Sequence, residues 1–287
     1  MIVIGKQCWR NWMSDKQGYV TLSSSKNSET LSEASLLARS IKINDPDREV
    51  CLVTDSYDDL PSHIEKNFDY VVELPYGAII EEDFEVNMWQ IYYCTPFDQN
   101  IWLRKQCLLL NNIDGLWDNI KDEDILFPYK TTNFKNEYKE FLYYFKCHEK
   151  NNFNQYFTDI FYFKKSVVSS EFFKMLDPVL QNWRSVYVNL IKENKPEYFN
   201  LNLCINIAIK LLGLELYNND MFKYTFISLE NVDLDDNDLP EDWTRYLSCW
   251  VKDRNVKINN HQLNDLVFYN SSTFIDEEVL DDFGTSS

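Results

Sequence analysis

Three short apolar runs near the start of the chain, YVTL at 19–22, VCLV at 50–53 and YVVEL at 70–74, constrain the fold most. Each is too short to be an amphipathic helix, and each is rich in β-branched or aromatic residues, as buried strands are. Between the first two lies SETLSEASLLARSIKIND. It sets Leu31, Ala34, Leu37, Ala38 and Ile41 on one helical face, with Thr30 and Glu33 spaced as a capping box and Asn44-Asp45-Pro46 as a stop. A polar, helix-like stretch separates the second run from the third. Strand, helix, strand, helix, strand in that order implies parallel strands joined by right-handed crossovers. Ligands of such sheets sit beyond the carboxyl ends of the strands. Thr21 to Ser25 and Asp55 stand at such ends, with a turn cap as the alternative reading of Asp55.

A second feature narrows the function. IWLRKQCLLL, 101–110, reads as a buried strand broken by Arg104, Lys105 and Gln106. Unpaired polar groups in a core strand cost several kcal/mol, so these three must reach solvent or a ligand. Around this stretch the spacing predicts a short helix over 88–94, a strand over 160–163, and helices over 167–176, 178–193 and 201–213. The last carries Leu203, Ile207 and Leu211 in one stripe and Gly213 as its stop. Residues 230–242 read as an acidic loop, and 271–287 as an acidic tail.

Composition excludes several classes. The 287 residues suffice for one large α/β domain with a sizeable core. Only 6 glycines leave little room for a Gly-rich phosphate loop. The net charge of −18 repels phosphate backbones and anionic membranes, which argues against general nucleic-acid binding. The 7 cysteines form no C-x-x-C pair and are odd in number, as reduced thiols of a cytoplasmic protein would be. No run is long enough to span a bilayer, and the start is not a signal peptide.

The remaining constellations have ordinary readings. His63, His148 and His261 are not clustered, and Cys147-His148 alone is a weak nucleophile signal. DLDDND, 233–238, lacks the sixth-position Gly and twelfth-position Glu of a calcium loop, so it reads as a solvated loop. Trp89, Trp102, Trp183 and Trp243 could stack on sugars, although core packing is the default for each. Lys130, Lys135 and Lys139 read as a solvated basic face.

With these residues in view, the chain resembles the GT-A class of nucleotide-sugar glycosyltransferases, most of all glycogenin-like and phage-encoded members. The likeness runs from about Tyr19 to Leu280. It is carried by YVTLSSS, EVCLVTD, TPFDQNIWL with CLLLNNIDGLWD, TDIFYFKKSVVSSEFF, FNLNLCINIAIKLLG and DLVFYNSSTF. The resemblance implies an α/β fold: a GT-A-like, Rossmann-type, mostly parallel sheet flanked by helices, with a C-terminal extension. It implies one domain over 1–287, with a leader (1–18), a nucleotide-binding half (19–120), an acceptor-side half (121–270) and the tail (271–287).

The resemblance also marks three departures. The family's metal-binding Asp-x-Asp falls on Arg104-Lys105-Gln106. Its late-helix acid falls on Asn202, and its late His on Phe268. Arg and Lys repel a divalent cation, so no metal cofactor is expected. Two functions follow. In the first, the chain transfers a hexose from a nucleotide sugar to a hydroxyl of a glycan, protein or modified base, without a metal. Arg104, Lys105 and Gln106 would hold the diphosphate, Thr21, Ser23 and Asp55 the nucleoside, and Asn202 and Asp159 the sugar or acceptor. In the second, the chain is a pseudo-glycosyltransferase serving as a binding module, a partner subunit or a phage structural or accessory protein. Either is expected in a cytoplasm, the host's if phage-encoded, off the membrane, as a monomer or in a homo- or hetero-oligomer.

Overall fold

The computed structural model describes residues 2–3, 16–79, 83–128, 131–135, 142–153, 156–214, 226–228, 247–252, 254–269 and 283. The expected acidic loop, Lys130, Lys139, Trp243 and nearly all of the tail lie outside these residues.

The three apolar runs are adjacent parallel strands. β1 is Ile2–Val3, β2 Gln17–Leu22, β3 Glu49–Thr54, β4 Tyr70–Glu73 and β5 Gln99–Leu103. With β7 (Ile125–Leu126) and β8 (Ile160–Lys164) they form a seven-stranded sheet in the order β1-β4-β3-β2-β5-β8-β7. Contacts from β1 to β5 are parallel, and β8 runs antiparallel to both β5 and β7. The sheet is mostly parallel, as expected, and the expected leader contributes its edge strand through Ile2–Val3.

Helices cover both faces. On one, α1 (Ser28–Asn44), the single turn α2 (Ser62–Glu65) and α4 (Asp114–Ile120) bury Leu31, Leu37, Ile64 and Trp117 against Tyr19, Leu52 and Ile101. The opposite face carries a 3-10 helix (Phe84–Gln90), α3 (Ile91–Cys94), α6 (Val167–Gln181), α7 (Trp183–Leu190) and α8 (Leu201–Leu212). Phe172, Leu176 and Ile207 pack there on Val20, Trp102 and Phe161. Close packing needs Gly18 at the start of β2. A Cβ there would meet the Phe97 ring at 2.5 Å.

Three elements differ from expectation. The polar stretch after β3 makes only the one turn of α2. Residues 167–190 form α6, with Pro178 inside it, and then α7 begins at Trp183. α8 stops where expected, at Gly213 with φ +61.

The third difference matters for the site. IWLRKQCLLL is not one interrupted strand. β5 ends at Leu103, Arg104 to Gln106 turn the chain, and β6 (Cys107–Leu109) enters a second sheet. There β6 pairs antiparallel with β13 (Leu266–Phe268), which also pairs with β9 (Phe226–Ser228). The polar residues are thus a link between sheets, which is how they escape the cost of a core strand. A separate three-stranded sheet joins β10 (Cys249–Lys252), β11 (Asn255–Ile258) and β12 (His261–Gln262). α5 (Leu142–Asn151) completes the elements named here.

Candidate functional site

The chain runs from β2 outward through β3 and β4, then crosses back to place β5 on the other side of β2. The β2–β5 boundary is therefore the topological switch point, where a parallel sheet leaves a crevice beyond its carboxyl ends. A cleft of about 290 Å³ lies there. Leu22, Ser23, Ser24, Lys26, Asn27 and Thr30 line one side and Asp55 the next. Asp83, Phe84, Glu85 and Lys105 close it.

The first wall is built by local hydrogen bonding. Asn27 caps α1, its Oδ1 accepting from the Thr30 N–H at 3.1 Å. This replaces the expected capping box: Thr30 lies inside the helix, and Glu33 turns inward instead. Asp55 accepts from the Ser25 N–H at 2.6 Å and the Ser24 hydroxyl at 3.2 Å. Burial would push its carboxyl up, but the Ser25 and Ser24 donors outweigh that and hold it below the usual carboxylate range. Ser23 donates through its hydroxyl to Thr30 at 2.9 Å. Thr21, by contrast, is 1% exposed and does not line the cleft; its hydroxyl has no partner.

The opposite wall is an ionic cluster. Arg104 donates from Nε to Glu85 at 2.7 Å and from a terminal nitrogen to Asp159 at 2.9 Å. Its backbone N–H donates to the Asp159 carbonyl at 2.8 Å. Lys105 donates to the same Glu85 oxygen at 3.2 Å, and Gln106 donates to Glu33 at 2.9 Å. Glu85 and Asp159 are buried, while the Arg104 side chain is 27% exposed. Burial would raise the Glu85 carboxyl, but Arg104 and Lys105 hold it at about 2. Asp159 is raised, because burial and then nearby Glu85 outweigh its single cation. Burial likewise raises Glu33 to about 7 and shifts Asp83 upward.

Two of the three departures meet here. Phe268 of β13 pairs with Cys107 of β6, and the Arg104 guanidinium lies 5.8 Å from the Phe268 ring centre. Asn202 does not join them. It sits in the first turn of α8 and accepts from the buried Asn206 amide at 2.9 Å, outside the cleft lining. Of the residues expected at the site, Ser23, Asp55 and Lys105 line the cleft. Arg104, Gln106 and Asp159 form the ionic wall behind it, and Thr21 and Asn202 lie elsewhere. Glu85 and Asp83 were not anticipated. Their signal was the acidic run EEDFE ahead of an apolar stretch, with nothing to pair it with Arg104.

No protein-family model matches the chain, and no curated protein resembles it in sequence. Solved structures do resemble it. The WbbM bifunctional glycosyltransferase superposes on 95% of this chain at a TM-score of 0.53 and 9% identity. This chain spans half, 50%, of that protein. The galactosyltransferase LgtC, in complex with donor and acceptor sugar analogs, matches 67% of this chain and 70% of its own length, at 12% identity and a TM-score of 0.41. The glycosyltransferase GlyE of Streptococcus pneumoniae TIGR4 matches 68% and 44%, at 9% identity and a TM-score of 0.40. The first of these is a likeness of fold, and it agrees with the strand order, the flanking helices and the switch-point cleft: the chain has a GT-A-type fold.

Proposed function

We propose that the cleft binds a nucleotide sugar and that the chain transfers its hexose to a hydroxyl acceptor without a metal ion. One observation carries the reading: Lys105 lines the same switch-point cleft as Asp55, with its ammonium 3.2 Å from Glu85. A departing diphosphate needs a cation there. The turn does not fit a divalent metal, because Arg104 and Lys105 repel it and the nearest carboxylates, Glu85 and Asp159, are already engaged by them. An ammonium can stand in as a point charge. In this reading Lys105 takes the diphosphate. Asp55 and Ser23 take the nucleoside, since Asp55 is ionised and can accept hydrogen bonds from ribose hydroxyls. Arg104 holds Glu85 and Asp159 in place and does not itself bind the ligand. Asp159, buried and paired to Arg104, is poorly placed to take a proton, which favours retaining transfer with the leaving phosphate as base.

A second reading, a pseudo-glycosyltransferase that binds without transferring, is favoured by a different observation. Arg104 is held by two carboxylates and Lys105 shares one of them, so both basic residues at the site already have acidic partners. Thermal unfolding with UDP, GDP and their hexose conjugates, each with Mn²⁺ and with EDTA, tests both. A ligand at about a hundred times its Kd stabilises by about 2.7 kcal/mol. A midpoint rise that survives EDTA and is lost in Lys105→Ala supports donor binding, and release of free hexose or transfer product then separates enzyme from binding module. No rise with any nucleotide removes the first reading.

A further inference from the structure

A large aromatic ring stands open to solvent at the carboxyl edge of the sheet. Tyr76 is 62% exposed, yet it is not a loose surface side chain. It sits in the turn Leu74-Pro75-Tyr76-Gly77, closed by the Gly77 N–H donating to the Leu74 carbonyl at 3.2 Å, with Gly77 at φ +78. Two buried amides pin this turn to the 3-10 helix. Gln90 accepts from the Tyr76 N–H at 3.0 Å and donates to the Gly77 carbonyl at 2.9 Å. Asn87 accepts from the Ile79 N–H at 2.8 Å and donates to the Ile79 carbonyl at 3.0 Å. Behind Tyr76 the Trp89 ring is stacked at 5.3 Å and 15°, and Tyr93 meets both edge-on at 5.7 and 5.9 Å.

Scattered exposed apolar residues are normal on any protein surface. A ring backed by two others and held by two fully buried amides is different. Its backbone and orientation are set before any ligand arrives, so little entropy is lost on stacking. We propose that the outer face of Tyr76 is a stacking platform for a pyranose of an uncharged glycan, a binding site separate from the cleft. The axial C–H groups of a pyranose are weakly positive and suit the negative face of the ring. Its equatorial hydroxyls radiate in the plane of the sugar and stay open to water. The net charge of −18 selects an uncharged glycan over a polyanion.

The platform also has a useful position. Asp83, Phe84 and Glu85, at the start of the 3-10 helix, line the cleft, and Trp89 follows four residues later. At about 2.0 Å per residue that is about 8 Å along the axis. The platform can thus hold a glycan acceptor beyond the residue being modified, a role that rests on the glycosyl-transfer reading. Binding itself does not.

A panel of neutral oligosaccharides tests this, titrated into the whole chain with intrinsic fluorescence and calorimetry as readouts. A sulfated glycan and a single-stranded oligothymidylate serve as controls. At least one neutral oligosaccharide is expected to bind. Its affinity should fall about tenfold in Tyr76→Ala and be kept in Tyr76→Phe, which retains the ring. Nucleotide-sugar binding should be unchanged in both variants. Absence of binding by every neutral oligosaccharide would overturn the proposal. So would binding that Tyr76→Ala leaves intact, or binding only to the sulfated glycan or the oligothymidylate. Glycan binding without any nucleotide binding would uphold the platform and remove the transferase reading instead.

Discussion

The two walls of the cleft handle charge in opposite ways. Asp55 is stabilised by neutral donors, the Ser25 N–H and the Ser24 hydroxyl, and its charge stays available to whatever enters. The charges of Arg104 and Lys105 are met by carboxylates brought from elsewhere in the chain, Glu85 and Asp159. The basic turn at Arg104 and Lys105 is therefore not a positive hole. The fold has moved acids in behind it, and only Lys105 still faces the cleft.

The largest expected effect breaks this comparison if it is wrong. Glu85→Ala would strand Arg104 and Lys105 beside one remaining partner, Asp159. Removing one member of a buried pair costs about 3–5 kcal/mol, and the partial exposure of Arg104 sets the expectation near the lower figure. Asp55→Ala loses hydrogen bonds to a half-exposed carboxylate and should cost only about 1–2 kcal/mol. Denaturant midpoints of the two variants check this. Equal losses would mean that the walls do not differ in kind.

Next in size is the split between two neighbours in sequence. Lys105→Ala should weaken nucleoside diphosphate binding by about tenfold or more, since a hydrogen bond to a charged group contributes about 1.5–3 kcal/mol. Arg104→Ala should chiefly lower stability, with affinity changed less than in Lys105→Ala. Calorimetric Kd values set beside unfolding midpoints decide it. A larger affinity loss in Arg104→Ala would show that the guanidinium leaves its carboxylates to meet the ligand.

The ionic wall also contains two carboxylates of opposite pH behaviour. Glu33 is held at about 7, above its ordinary 4.5, so the folded state keeps a proton that the unfolded chain releases. Its contribution is fully present below pH 4.5 and is lost as the pH rises through 7. Glu85, held at about 2, contributes above pH 4.5 and loses that contribution as the pH falls toward 2. Glu33→Gln keeps an acceptor for the Gln106 amide and removes the titration. Its advantage over the parent chain should be small at pH 4.5 and reach roughly 3 kcal/mol at pH 8. Midpoints across that range that run parallel would refute the assignment.

How much of this was legible in the sequence follows from how far the partners lie apart. The strands at 19–22, 50–53 and 70–74, their parallel order and the place of Ser23 and Asp55 at strand carboxyl ends are written in local hydrophobic patterns, which period and run length reveal. The turn at Arg104 was visible as a polar break, but its rescue was not, because Glu85 and Asp159 lie 19 and 55 residues away along the chain. Charge pairing has no period. Asn202 was placed by resemblance alone, and its amide meets Asn206 on its own helix. The Tyr76 platform left no trace either, since exposure of a ring after β4 depends on the Gln90 and Asn87 amides that pin the turn.

The smallest effect sharpens the comparison at the neutral wall itself. A Thr30–Glu33 capping box and an Asn27 cap make different demands on the same helix start. In the structure Asn27 has the extended backbone of a cap, φ −109 and ψ 102, and accepts from the Thr30 N–H, while Glu33 is turned toward Gln106. Asn27→Ala should therefore cost about 1 kcal/mol. Thr30→Ala loses only its bonds to the Asn27 carbonyl and to the Ser23 hydroxyl, and should cost less. Both residues line the cleft, so the stability of each variant is measured without nucleotide and again with it. If Thr30→Ala proves the costlier change, the helix begins three residues later than the structure has it. The serine loop that holds Asp55 would then lose the anchor that makes this wall the neutral one.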